Sequence, residues 1–170
     1  SQLKIWEKPV NGRPYVVFVD TSEGLPTSNW QAGAVLEVER LKFVAMLRCK
    51  TDLGDLAKRV AAIATDYNGA LLMIERNNHG HAVLFALSEQ INYPNLYSHD
   101  DAGFTSRHEL GWPTNSITKP IMVAQFKELY EAGALDIPDE DAIAELGAFK
   151  FFPAAGRGQD KYRAPKGGTD

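Results

Sequence analysis

The chain carries a single cysteine, Cys49, in 170 residues. One thiol closes no intrachain disulfide and builds no thiolate zinc centre, which suits a reducing compartment. No apolar run approaches the roughly 18 residues that a membrane-spanning helix needs. Residues 1–14 lack the apolar segment of a secretory signal. There is no Gly-x-x-x-x-Gly-Lys-Ser/Thr phosphate loop, no internal repeat and no low-complexity tract. An excess of positive charge is missing too: 18 Lys and Arg stand against 22 Asp and Glu, a formal net charge of −4. That sum does not announce a nucleic-acid binder, but a local basic patch matters more than the total. A cluster of acidic metal ligands would itself bias the sum. What remains has the length and apolar content of one soluble globular domain with a sizeable core.

The organising stretch is Tyr15-Val16-Val17-Phe18-Val19-Asp20, followed by Thr21-Ser22-Glu23-Gly24. It reads as a buried strand ending in a carboxylate and a turn. Residues 1–14, with Pro9 and Pro14, read as a lead-in or linker. Residues 30–38 and 41–49 predict an antiparallel hairpin beside the first strand. Asp52 to Asp66 predicts a helix capped by Thr51 or Asp52, with Leu53, Leu56, Val60 and Ile63 on its apolar face. Asn68-Gly69 ends it, and Ala70 to Glu75 is a second buried strand, again ending in a carboxylate. This strand–helix–strand unit predicts a parallel return by a right-handed crossover.

Asn77-Asn78 opens a second helix with Val83, Leu84 and Leu87 inward. Asn95 to Tyr97 is a short strand, and residues 99–117 are long enough for a small hairpin or a functional rim. Thr118-Lys119-Pro120 starts a helix that runs to about Ala132. Thr118 is its expected cap, Met122, Phe126 and Leu129 its apolar face, and Gly133 its stop. Residues 139–149 suit a short helix. Phe149 to Phe152 and Lys161 to Ala164 suit two strands of a hairpin.

Asp20 and Glu75 are the strongest chemical pair, because each terminates an apolar strand and the two strands are predicted neighbours. Two readings stand. Asp20 satisfies the amides of its turn while Glu75 caps the next helix; or the two share a hard cation, magnesium or manganese, that offsets their repulsion. Asp170 follows a predicted strand and is a candidate third ligand. Three carboxylates hold two ions about 4 Å apart in phosphodiester hydrolysis. Glu23, Asn77 and Lys119 are candidate supporting residues: Glu23 through water, Asn77 by positioning Glu75 and Lys119 by approaching a phosphate. Each has an ordinary alternative as a solvated side chain or a cap. His79 and His81 read as ordinary surface histidines, and Trp112 as packing in the core or at a rim. Arg157, Lys161, Arg163 and Lys166 form a basic cluster suited to a DNA backbone, or to protecting a sheet edge.

Several of these pieces, in order, resemble the C-terminal nuclease domain of the large terminase subunit of tailed double-stranded DNA bacteriophages. They are Val19 to Gly24, then Ile74-Glu75-Arg76-Asn77-Asn78-His79-Gly80, then Gly111-Trp112-Pro113-Thr114-Asn115 with Thr118-Lys119-Pro120, then Leu129 to Leu135. Gly167-Gly168-Thr169-Asp170 meets the family's final Gly-x-His-Asp-Asp motif with Thr169 in the histidine place. The resemblance implies an α/β fold, an RNase H-like mixed sheet flanked by helices, over 15–170, ending before its C-terminal helix. It implies an endonuclease using Mg2+ or Mn2+, two ions during catalysis, that cuts concatemeric viral DNA during packaging. Asp20, Glu75 and Asp170 fall on the metal carboxylates. The implied partners are double-stranded DNA, an upstream packaging ATPase domain, the small terminase subunit and the portal, with no membrane. The implied location is the cytoplasm of the infected bacterial host. The rival expectations are an RNase H-like junction resolvase and a DNA-docking and packaging-interaction domain with little nuclease activity.

Overall fold

The structure is a computed structural model that describes residues 2–22, 24–25, 29–99, 109–148, 150–152 and 161–163. Five strands form one mixed sheet: β1 (Gln2–Ile5), β2 (Tyr15–Asp20), β3 (Gln31–Glu37), β4 (Lys42–Cys49) and β5 (Leu71–Ile74), in the spatial order β1-β4-β3-β2-β5. The first three pairings along this order are antiparallel, and β2 with β5 is parallel. Helix α1 (Leu53–Asp66) makes the crossover between β4 and β5. Asp52 caps α1, its carboxylate accepting from Asp55 N at 2.9 Å. Leu56, Ala57, Val60, Ala61 and Ala64 bury its inner face. Asn68 and Gly69 leave it with φ of 61° and 66°, the left-handed exit that these residue types tolerate.

Alternation along β2 assigns the two faces of the sheet. Tyr15, Val17 and Val19 are buried in the core beneath α1, with Leu72 and Ile74 of β5. Phe18 points the other way and is exposed. A bulge at Val35/Leu36 leaves Val44 as the extra residue of β4, so that Val44 and Ala45 are both buried. Helix α2 (Asn78–Phe85) and a π-helical turn, Ala86–Gln90, close the core beside α1, where Val83 and Leu87 are fully buried. Strands β6 (Ser98–His99) and β7 (Glu109–Leu110) form the small hairpin expected within 99–117.

Residues 1–14 do more than lead in. Gln2–Ile5 pairs with β4 as the sheet's edge strand. Tyr67 donates to Glu7 O at 2.7 Å, and Asn68 Nδ2 donates to Val10 O and Arg13 O. Glu7 bridges Arg40 and Lys42, and Lys42 also meets Asp136. Arg40 binds the fully buried Glu37 as well. The Arg40 guanidinium first, and the Lys42 ammonium second, hold the Glu7 carboxyl down to about 2.

Helices α3 (Thr118–Glu131) and α4 (Glu140–Ala148) stand over the second face of the sheet. The expected cap at Thr118 is displaced. The carboxamide of Asn115 accepts from Ile117 N and Thr118 N, while the Thr118 hydroxyl donates to Pro113 O. Gly133, at φ 66°, stops α3, and Ala134 N reaches back to Leu129 O at 2.9 Å. The apolar face expected for α3 is not buried: Met122 and Leu129 are exposed. The helix lines an open cavity instead of packing flush on the sheet. Helix α4 is tied down by charge. Lys4 reaches Asp139 and Asp141, both at 2.9 Å, and Arg48 reaches Glu145 at 2.8 Å. Burial pushes the Asp139 carboxyl up, but Lys4 and the Ala142 N–H outweigh it and hold it below the ordinary range. Strands β8 (Lys150–Phe152) and β9 (Lys161–Arg163) pair antiparallel, as expected.

Candidate active site

Strands β2 and β5 run in the same direction, with Val19 opposite Ile74 and Glu75 N donating to Val19 O at 2.9 Å. Asp20 and Glu75 therefore leave the sheet at the same end, from neighbouring strands whose backbones lie about 4.8 Å apart. Both line one cavity of about 670 Å³ between the second face of the sheet, α3 and α4. Cross-strand register orders its floor. Met46, Ala34, Phe18 and Met73 form an apolar row. One step further along lies a second row, Arg48, Ala32 and Asp20, charged at both ends, which Glu75 continues. Lys119, at the start of α3, lines the same cavity.

Glu75 is held on both sides. Beyond it, Trp112 adds a parallel bridge, with Trp112 N donating to Ile74 O at 2.8 Å and Arg76 N donating to Trp112 O at 2.7 Å. Trp112 packs edge-on against His99 at 5.2 Å and beside Tyr97 at 6.1 Å, which fits the rim role expected of it. Asn77 caps α2, its Oδ1 accepting from His79 N at 3.1 Å and Gly80 N at 2.8 Å. Its Nδ2 donates to Glu75 Oε2 at 3.1 Å. Capping and contact with Glu75, weighed as alternatives for Asn77, coexist.

Two buried residues carry no obvious sequence signal yet shape this edge. Thr21, next to Asp20, donates its hydroxyl to Asn77 Oδ1 at 2.8 Å and takes Asn77 Nδ2 on its carbonyl at 3.3 Å. Gln31 is fully buried and spans the turn after Asp20. Its Nε2 donates to Ser22 O at 3.2 Å and Thr51 O at 3.0 Å, and its Oε1 accepts from Thr51 N at 3.1 Å. Gly24, at φ 73°, passes so close to Thr51 that a Cβ would lie 1.8 Å from its carbonyl oxygen. That proximity gives the glycine of the Asp20 turn a physical reason.

Oxygen donors dominate this edge, and they suit a hard divalent cation. Among the described residues, no group of three or more His, Cys, Asp or Glu assembles into a metal site. Asp20 and Glu75 fit as two donors of a larger set. His79 is half-buried and His81 exposed on α2. Glu23, Arg157, Lys166 and Asp170 lie outside the described residues. Lys161 and Arg163 stand at the two ends of β9.

No family model and no curated protein matches the chain. Solved structures do. The large terminase nuclease from thermophilic phage G20c with bound magnesium matches at a TM-score of 0.77 and 18% identity, covering 100% of this chain and 82% of that one. The same nuclease with bound cobalt gives 0.77 and 18%, covering 100% and 81%. The large terminase nuclease domain of Thermus phage P74-26 gives 0.75 and 19%, covering 100% and 80%. The mixed sheet and its flanking helices thus have the RNase H-like fold of the large terminase nuclease domains of tailed double-stranded DNA phages.

Proposed function

We propose that the chain is a divalent-metal-dependent DNA endonuclease that cuts concatemeric viral double-stranded DNA during genome packaging. The observation that supports this reading above the others is the exit of Asp20 and Glu75 from adjacent parallel strands into one cavity, on this fold. Asp20 and Glu75 would hold Mg2+ or Mn2+, with Asp170 as the third carboxylate; magnesium and cobalt occur in the matching phage G20c nuclease. Two ions held there would supply water activation and charge stabilisation at the leaving oxygen, so that no protein nucleophile would be needed. The residues of the chain then divide the remaining work. Asp20 and Glu75 concentrate negative charge at one edge. Lys119 faces that edge from α3 and approaches the scissile phosphate, and Glu23 takes part through water. Arg157, Lys161, Arg163 and Lys166 run along the duplex backbone.

In the phage, the partners of this activity are a packaging ATPase domain upstream, the small terminase subunit and the portal, in the cytoplasm of the infected bacterial host. Among the described residues no helix is long and apolar enough to cross a membrane.

The test is cleavage of linear duplex DNA by the purified chain with Mg2+ or Mn2+. Asp20→Asn and Glu75→Gln are expected to abolish cleavage while keeping the thermal transition. Products are expected to carry 5′ phosphate and 3′ hydroxyl ends. Wild-type rates in either folded variant, or the opposite end chemistry, contradict the reading.

A further inference from the structure

We propose that Thr21 and Asn77 form a polar latch between the ends of β2 and β5 that orients the Glu75 carboxylate. Both are positioning residues for the proposed metal site. The inference rests on the nuclease reading for its consequence, but the latch itself stands on hydrogen bonds.

The neighbours of the Asn77 carboxamide fix which way it faces. One side of it meets three donors: the Thr21 hydroxyl at 2.8 Å, His79 N at 3.1 Å and Gly80 N at 2.8 Å. Two of these are backbone N–H groups, which have no acceptor role to exchange. That side must therefore be the oxygen. The NH2 is left facing two acceptors, Glu75 Oε2 at 3.1 Å and Thr21 O at 3.3 Å. A flipped amide would set donor against donor on one side and acceptor against acceptor on the other. The start of α2 thus dictates that a donor, and not an acceptor, is presented to Glu75.

Thr21 closes the circuit. It is 5% exposed, directly follows Asp20, and engages Asn77 through both its hydroxyl and its carbonyl. The residue after one carboxylate is bonded to the residue that holds the other. The relative placement of the two strand ends depends on this link as well as on the ladder bond from Glu75 N to Val19 O. A hydrogen-bonded partner that orients a ligating carboxylate changes metal affinity without touching the metal.

Capping and latching are separable, because serine caps helices about as well as asparagine but carries no NH2 for Glu75. Asn77→Ser should keep the thermal transition within a few degrees of wild type while weakening Mn2+ binding, read by calorimetry, by about tenfold or more. Cleavage should need correspondingly more Mn2+. Thr21→Val should weaken Mn2+ binding in the same direction and Thr21→Ser should restore it; this pair carries the test if Asn77→Ser unfolds. In wild type, the Asn77 side-chain amide resonances should move on Glu75→Gln, a readout that needs neither metal nor activity. Wild-type Mn2+ affinity in both Asn77→Ser and Thr21→Val, with an intact wild-type enzyme, overturns the latch alone. A wild-type chain that neither binds Mn2+ nor cleaves overturns the nuclease reading and the latch's role with it.

Discussion

Gly80→Ala is the substitution for which local propensity and tertiary packing predict opposite signs. Gly80 lies in the first turn of α2, where an exposed glycine replaced by alanine would ordinarily gain up to about 1 kcal/mol. Here a Cβ would lie 1.9 Å from the carbonyl oxygen of Glu75 and 3.0 Å from its carbonyl carbon. Ordinary contact is near 3.5 Å, so the helix start and the end of β5 must separate by about 1.6 Å. Both sides of the contact are backbone, and no rotamer change relieves it. Overpacking of this kind costs about 1–3 kcal/mol. Loss of the Asn77 cap as the turn moves adds about 1 kcal/mol. Set against the propensity gain of up to about 1 kcal/mol, the net loss is about 2 kcal/mol, which lowers the melting temperature of a chain this size by roughly 4–8 °C. Thermal and urea unfolding, followed by circular dichroism, measure it directly. A Gly80→Ala transition at or above that of wild type would refute the close approach of α2 to Glu75.

Acid unfolding tests the Glu7 clasp. The folded Glu7 carboxyl lies near 2, well below its ordinary 4.5. Its contribution is complete above 4.5 and is lost as pH falls from there through 2. The stability difference between wild type and Glu7→Gln should be largest above pH 4.5 and shrink towards pH 2; a constant difference across that window contradicts the clasp. Lys161→Ala with Arg163→Ala should weaken duplex binding and flatten its dependence on salt. Unchanged affinity and slope in the folded double variant would remove β9 from the DNA path.

Much of the site's framework was legible because its signals are local. The apolar run of β2, the Asn-Gly exit from α1, the apolar stretch of β5 and the Asn77 cap each announce themselves within a few residues. A crossover helix between two such strands then predicts parallel neighbours, and with them the shared exit of Asp20 and Glu75. Long-range pairing was less visible. Strand β1 is short and lies at the edge of the sheet, where Leu3 and Ile5, opposite buried Leu47 and Ala45, stay uncovered, so no long apolar run marks it in the sequence. Its place is secured by a ladder with β4 and by Lys4 on Asp139 and Asp141. The exposure of α3 has a related reason: helical periodicity identifies an apolar face but not whether anything covers it. Met122 faces an open cavity. Thr21 and Gln31 gave no signal at all, since a threonine in a polar turn and a glutamine before an apolar strand are ordinary. Their burial and partners emerge only when the ends of β2, β4 and β5 meet.

Anomalous diffraction from crystals soaked in Mn2+ would locate the ions themselves. Manganese is expected at the carboxyl ends of β2 and β5, bound by carboxylate oxygens of both Asp20 and Glu75, and lost in Glu75→Gln. Ordered crystals with manganese absent from that pair, or held equally well in Glu75→Gln, would contradict the proposed metal site.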